Sequence, residues 1–242
     1  MRRNRRRGRV SKAAGLIWRV VYPLLLYFVM AAVFQAVPML IFPVLAEDAN
    51  VMWLIAISDA LMIPVFAWLY RMDRKREMTY TGGVYWYDKP VRRDEGRPSV
   101  YVWALLGGIV LSRVFNILIY LSPLPDLFPG YSDLTEAVYA GSLISQICAS
   151  VIAAPVMEEL LMRGVIYGRL KRGIRNRAAA ALLGALVFGL FHGNVVQGVY
   201  AFLMGLFFIW VYDKSGSLLA PILAHMAANG SSILVQWISS GL

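Results

Sequence analysis

A single cysteine, Cys148, is all the chain offers, which excludes an internal disulfide; set in an apolar run, it reads as a small core residue. Histidine is almost as scarce, with only His192 and His225. Charge is thin as well: 16% of the 242 residues are charged, against about 25% in an ordinary soluble domain. Serine, aspartyl and zinc protease signatures of the forms GxSG, GxGD and HExxH are all missing. No internal repeat is visible, and the basic N-terminal tail is the one biased segment. These gaps exclude a disulfide scaffold, a repeat array and the usual catalytic motifs.

What is there in excess is hydrophobic sequence. It makes up 59% of the chain, against about 45–50% in soluble domains, and it falls in long runs rather than amphipathic periods. The expected fold is an all-α polytopic membrane bundle of about seven transmembrane helices. The runs lie near residues 16–42, 51–70, 100–121, 137–170, 178–191, 195–212 and 218–238. Residues 1–15 form a basic tail, 16–122 the N-terminal helices with a loop at 71–99, and 123–242 a helical core that carries the polar motifs. The run from Leu16 to Val44 is too long for a signal-peptide core, so a retained anchor helix is expected despite the weak cleavage site Val44-Leu45-Ala46.

The net charge of +10 reports topology rather than a nucleic-acid partner. Seven basic residues lie between Arg2 and Lys12, eight between Arg71 and Arg97, and five between Arg169 and Arg177. All flank apolar runs, and no groove-reading or stacking module accompanies them. With the tail in the cytoplasm, alternation leaves loops 71–99, 171–177 and 213–217 cytoplasmic and the C-terminus outside. The expected location is a bacterial plasma membrane. The fourth run is too long for a simple crossing: Ala137–Leu170 would reach roughly 50 Å as one straight helix. A kink at Pro155 or an interfacial outer part is therefore expected.

Ionisable groups in apolar spans cost roughly 2.5–3.5 kcal/mol each, so their default reading is functional. Counted from the nearest basic loop, Glu158 lies roughly 20 Å up its helix, His192 roughly 22 Å and His225 roughly 16 Å. The three thus come to similar depth. Glu159 and Arg163 share a face at i,i+4 and suit an internal ion pair, which leaves Glu158, about 100° away, without a local partner. His225 and Asn229 share another face, and Phe188 is spaced to wall His192. Asp59, Arg113 and Asn116 are further intramembrane polar groups, and an Asp59–Arg113 pair would fit an enzyme and a transporter alike. A proton-coupled transporter or a non-catalytic scaffold would also use buried acids and imidazoles. The transporter reading predicts repeats and paired broken helices, which are not visible.

In this order, Glu158-Glu159-Leu-Leu-Met-Arg163, Phe188-Gly-Leu-Phe-His192 and His225-Met-Ala-Ala-Asn229 match EExxxR, FxxxH and HxxxN. Over about residues 137–241 the chain resembles the CAAX-protease and bacteriocin-processing (CPBP, Abi) family of intramembrane proteases. The resemblance implies an endopeptidase opening toward the cytoplasm and acting on membrane-associated peptides or proteins. Glu158 would be general base, His192 would help activate water, and His225 with Asn229 would stabilise the oxyanion. Glu159, Arg163 and Phe188 would support them. Glu158, His192 and His225 could instead hold zinc with an open position. A metal-free site without cofactor is favoured, because glutamate chemistry accounts for the same residues. The substrate is left open.

Overall fold

The computed structural model describes residues 2–81, 98–128, 130 and 141–239, and among these there is no strand. Most of the basic loop 71–99, much of the 123–136 loop, the start of the fourth run at 137–140 and Leu242 lie outside the described residues. We number the long helices α1 to α7. Helix α1 is Arg2–Ala31, prolonged by a π-helical stretch at Ala32–Ala36 and by Val37–Ile41; α2 is Asp48–Thr81 and α3 is Pro98–Tyr120. Helix α4 is Leu143–Gly173, α5 is Arg177–Phe191, α6 is Val195–Ser215 and α7 is Leu219–Ser239.

Among the described residues five helices are long and apolar enough to cross a membrane: Ala13–Ile41, Asn50–Lys75, Pro98–Tyr120, Leu143–Gly173 and Val195–Ser215. Helix α5 is apolar but has only 15 residues. Helix α7 has the length, at 21 residues, and is diluted by His225, Asn229, Ser231, Ser232 and Gln236. The protein is therefore a helical membrane bundle. Its outer faces carry exposed Phe28, Trp103, Ile117, Leu190, Trp210 and Leu234, as expected where the solvent is lipid.

Contacts along each helix pair fix its direction. Tyr70 of α2 meets Gly164, and Asp73 meets Arg169, so α2 runs parallel to α4. Ser112 bonds the Ala228 carbonyl and Arg113 bonds Ser232, so α3 runs parallel to α7. Arg163 reaches the Gly205 carbonyl and Lys171 reaches Asp213, so α4 and α6 are parallel. Helix α1 opposes α4, with Arg19 beside Arg169 and Leu16 beside Gly173. Odd-numbered helices thus run one way and even-numbered helices the other. A chain that reverses at every connection must do this.

Close packing rests on small residues, as it does where lipid gives no hydrophobic drive between helices. A Cβ on Gly108 would lie 2.2 Å from the Ala224 carbonyl oxygen, so α3 touches the α7 backbone there. Gly189 and Gly198 bring α5 and α6 together in the same way. One end of the bundle is tied by Arg169, which pairs with Asp73 at 2.6 Å and also donates to the Arg19 carbonyl and Tyr22. Breaking such a buried pair by removing one partner costs about 3–5 kcal/mol.

Helix α4 departs from the expected simple kink. Its α-helical turns alternate with π-helical stretches at Ile147–Ala153 and Leu160–Tyr167, which flank the short α-helical piece Ala154–Glu159. Such wide turns are rare and tend to occur at functional sites. Asp59 and Arg113 do not pair. Arg113 bonds Ser112 and Ser232, whereas Asp59 is buried with Oδ1 unbonded. The cause is azimuth: α2 packs along α4, while α3 packs along α7, so equal depth does not make these two side chains neighbours.

Candidate active site

The site is built on α4 and completed by α5, α6 and α7. Glu159 and Arg163 are fully buried, and their i,i+4 spacing closes an ion pair of 2.8 Å. Arg163 also donates to the Gly205 carbonyl of α6 and lies over two rings, 4.3 Å from the Phe188 centroid and 5.0 Å from that of Phe208. The guanidinium is therefore held from three helices.

Glu159 Oε1 accepts a second bond. His225 Nδ1 on α7 lies 3.0 Å from it, and the His225 ring stacks on Phe208 at 4.7 Å. A carboxylate can only accept, so Nδ1 is the donor and Nε2 is turned away from Glu159. That Nε2 lies 3.9 Å from Glu158 Oε2, too far for a direct hydrogen bond. The two adjacent glutamates therefore have different surroundings. Glu159 is sealed at 0% exposure with both bonds on Oε1 and Oε2 unbonded, while the Glu158 side chain keeps 14% exposure and has no hydrogen bond, its own Oε2 being buried.

His192 is placed by a short connection. It caps the end of α5, Gly193 turns the chain at φ 68°, and Asn194 caps α6 by accepting from the amides of Val196 and Gln197. His192 Nδ1 lies 2.9 Å from the Phe188 carbonyl. Since a carbonyl accepts, Nδ1 carries the proton and the neutral ring presents Nε2 as an acceptor. Phe188 packs edge-on against both imidazoles, at 4.9 Å from His192 and 6.0 Å from His225.

Asn229 is turned toward α4, and the sequence explains why. Its Nδ2 donates to the Ser150 carbonyl at 2.8 Å. In the π-helical register an amide bonds the carbonyl five residues back, as Ala154 does to Ala149. The donor for Ser150 would then be residue 155, which is proline and has no N–H. Pro155 thus leaves a carbonyl that Asn229 satisfies across the helix interface.

The structure therefore brings Glu158, Glu159, Arg163 and His225 into one chain of contacts, with His192 joined through Phe188 and Asn229 through α4. Three participants escaped the sequence analysis: Phe208 and Gly205 on α6, with no local motif, and Tyr27 on α1; Asp59 was named there beside Arg113, not beside Glu158, into whose electrostatic range it comes with Tyr27. An acid in the second apolar run was the only available signal. Among the described residues no group of three His, Cys, Asp or Glu is placed to hold a metal ion. The expected zinc alternative of Glu158, His192 and His225 forms no such group, and no step is routed through a metal.

Comparison with known proteins gives these residues a context. Residues 140–231 match the family described as Type II CAAX prenyl endopeptidase Rce1-like, a stretch that contains every residue of the constellation except Asp59 and Tyr27. The chain is 29% identical over 153 residues to the membrane-embedded CAAX protease MroQ of Staphylococcus aureus (strain USA300), covering 59% of this chain and 61% of that protein. It is also 29% identical over 90 residues to YdiL of Bacillus subtilis (strain 168), named as a candidate membrane peptidase, covering 37% of this chain and 36% of that one. The chain therefore spans between about a third and three-fifths of the length of these relatives. No solved structure matches. The Rce1-like stretch holds the EExxxR, FxxxH and HxxxN residues that α4, α5 and α7 gather, so the likeness to CPBP-family membrane proteins falls on the site itself.

Proposed function

We propose that the protein is an intramembrane endopeptidase that cuts membrane-associated peptides or proteins by glutamate-activated water. The carrying observation is the asymmetry of the glutamate pair: Glu159 is fully buried and bonded by Arg163 and His225, and Glu158 beside it keeps 14% side-chain exposure with no hydrogen bond. A general base needs that spare acceptor within reach of solvent. Glu158 takes a proton from water, and in the neutral ring whose Nδ1–H is held by Phe188, His192 Nε2 accepts from the same water. The hydroxide adds to the peptide carbonyl, and Glu158 returns the proton to the leaving amine.

Asn229 and, as the imidazolium with Nε2 protonated, His225 donate to the developing oxyanion. Glu159 orients His225 as the buried acid orients the imidazole in a catalytic triad. The second N–H of the Asn229 amide is left over after Ser150 takes the first. The surrounding aromatic rings keep water scarce, which strengthens each of these interactions. The reading is metal-free, since a glutamate and two imidazoles suffice for proton transfer and oxyanion binding. The relatives named as membrane proteases support hydrolysis; they do not choose the substrate.

Orientation belongs to the same proposal. The ends of α4 and α6 carry Arg169, Lys171, Arg172 and Lys214, beside Arg19 of α1, and we place this end in the cytoplasm. A reporter fused after Leu242 should then read external, and a cytoplasmic reading would break the assignment.

The central test compares purified wild type and Glu158→Gln on a panel of membrane peptides, with metal content measured in parallel. Cleavage by wild type and a loss of about 10²-fold or more in the variant is expected. Equal cleavage by both proteins would remove Glu158 from the mechanism. Stoichiometric zinc that disappears in His192→Ala would replace the metal-free reading.

A further inference from the structure

Arg113 is a cation inside the bundle that the proposed mechanism does not use. It sits on α3, about 22 Å from Pro98 and about 10 Å from Tyr120 along the axis. An arginine side chain keeps its charge in proteins, so a counter-charge is required in such surroundings. Among the described residues no carboxylate lies within ion-pair distance of it. Its Nη2 donates to Ser112 Oγ at 3.0 Å and to Ser232 Oγ, and its Nε is buried with no hydrogen bond. These bonds turn the guanidinium inward toward α7 and prevent it from reaching along the helix to the membrane surface.

The surroundings are polar and shared by three helices. Ser112 accepts from Tyr200 of α6 at 2.9 Å and donates to the Ala228 carbonyl of α7. Asn116 lies one turn further along α3, bonded to the Ser112 carbonyl. This cluster adjoins the site through α7, because Ser232 is one turn, roughly 4.5 Å, beyond Asn229. An extended peptide rises about 3.3 Å per residue. A peptide with its reacting carbonyl near Asn229 can therefore bring a group one to three residues away to Arg113.

We propose that Arg113, framed by Ser112, Ser232 and Tyr200, holds a carboxylate of the bound peptide and so selects substrates with an acidic group close to the cut. The planar guanidinium fork matches carboxylate geometry, and its unused Nε edge is the part that lacks a partner. The carboxylate comes from an acidic side chain or from a free C-terminus. The inference rests on the protease reading for the word substrate, but the binding site itself does not require turnover.

The test uses the full-length protein with matched peptide pairs in neutral-lipid vesicles, repeated in vesicles with anionic lipid added. One pair differs only in a free or amidated C-terminus, the other only in Glu or Gln within three residues of the cut. Wild type should favour the carboxylate member of at least one pair by about tenfold or more in KM. Arg113→Gln should handle both members alike while still cutting the neutral one, and Arg113→Lys should keep part of the preference. The pair that responds identifies the source of the carboxylate. Binding of the same labelled peptides to Glu158→Gln, with and without Arg113→Gln, reads the site without catalysis, so a failed protease reading leaves this result intact. Indifference of wild type to the carboxylate, or its persistence in Arg113→Gln, overturns the proposal. So does a loss confined to stimulation by anionic lipid, which would make a phosphate headgroup the occupant.

Discussion

Glu159 Oε1 receives both the Arg163 guanidinium at 2.8 Å and the His225 imidazole at 3.0 Å, so one oxygen joins α4 to α7. Its neighbour Glu158 makes no comparable bond through Oε2. Substituting the two glutamates should therefore give opposite signatures. Glu159→Gln strands a buried guanidinium, and a loss of about 3–5 kcal/mol is expected. Thermal melting in detergent should fall together with kcat. Glu158→Gln removes an unpaired oxygen, so its melting should hold while cleavage fails. Matching melts for the two variants would refute the division of labour.

Pro155 carries a second prediction. Pro155→Ala restores an amide that can bond back within α4 and compete with Asn229 for Ser150. A proline inside a helix costs about 3 kcal/mol, so the variant should melt higher. Its kcat should nevertheless fall with little change in KM, because the Asn229 amide loses its anchor. In an Asn229→Ala background the same change should have no further effect on kcat. An additive loss would mean that Pro155 acts by another route.

Packing at α3 supplies the third. A Cβ at Gly108 would press on the Ala224 carbonyl, one residue from His225. Gly108→Ala should cost about 1–3 kcal/mol through overpacking, seen as a lower melting temperature. Activity should drop more than at Gly15, where a Cβ meets nothing within 4 Å. Unchanged melting would show that α3 can withdraw freely.

The parts of this site that were legible in sequence are those governed by local spacing. Glu159 and Arg163 pair because i,i+4 residues meet on any helix, and Phe188 reaches His192 for the same reason. Depth was legible too, since basic loops mark helix ends and counting from them brought Glu158, His192 and His225 to one level. Azimuth was not. The count gave no hint that Asp59 and Arg113 would face different helices, or that Phe208 and Gly205 would complete the arginine cradle. The face assignment along α4 assumed about 100° per residue, and its π-helical stretches do not keep that rotation. Pro155 was visible as a helix disturbance; its actual effect, a carbonyl left for Asn229, depends on a register that only the folded chain sets.

Phe188 has one more consequence. Its ring touches both imidazoles and lies beneath the Arg163 guanidinium. Two histidines separated in sequence by the whole of α6 thus share a single stiff neighbour that cannot bend to absorb a displacement. A small roll of α5 about its axis would carry His192 and the ring together and push on His225 and Arg163 at once. The whole constellation is mechanically geared to one 15-residue helix.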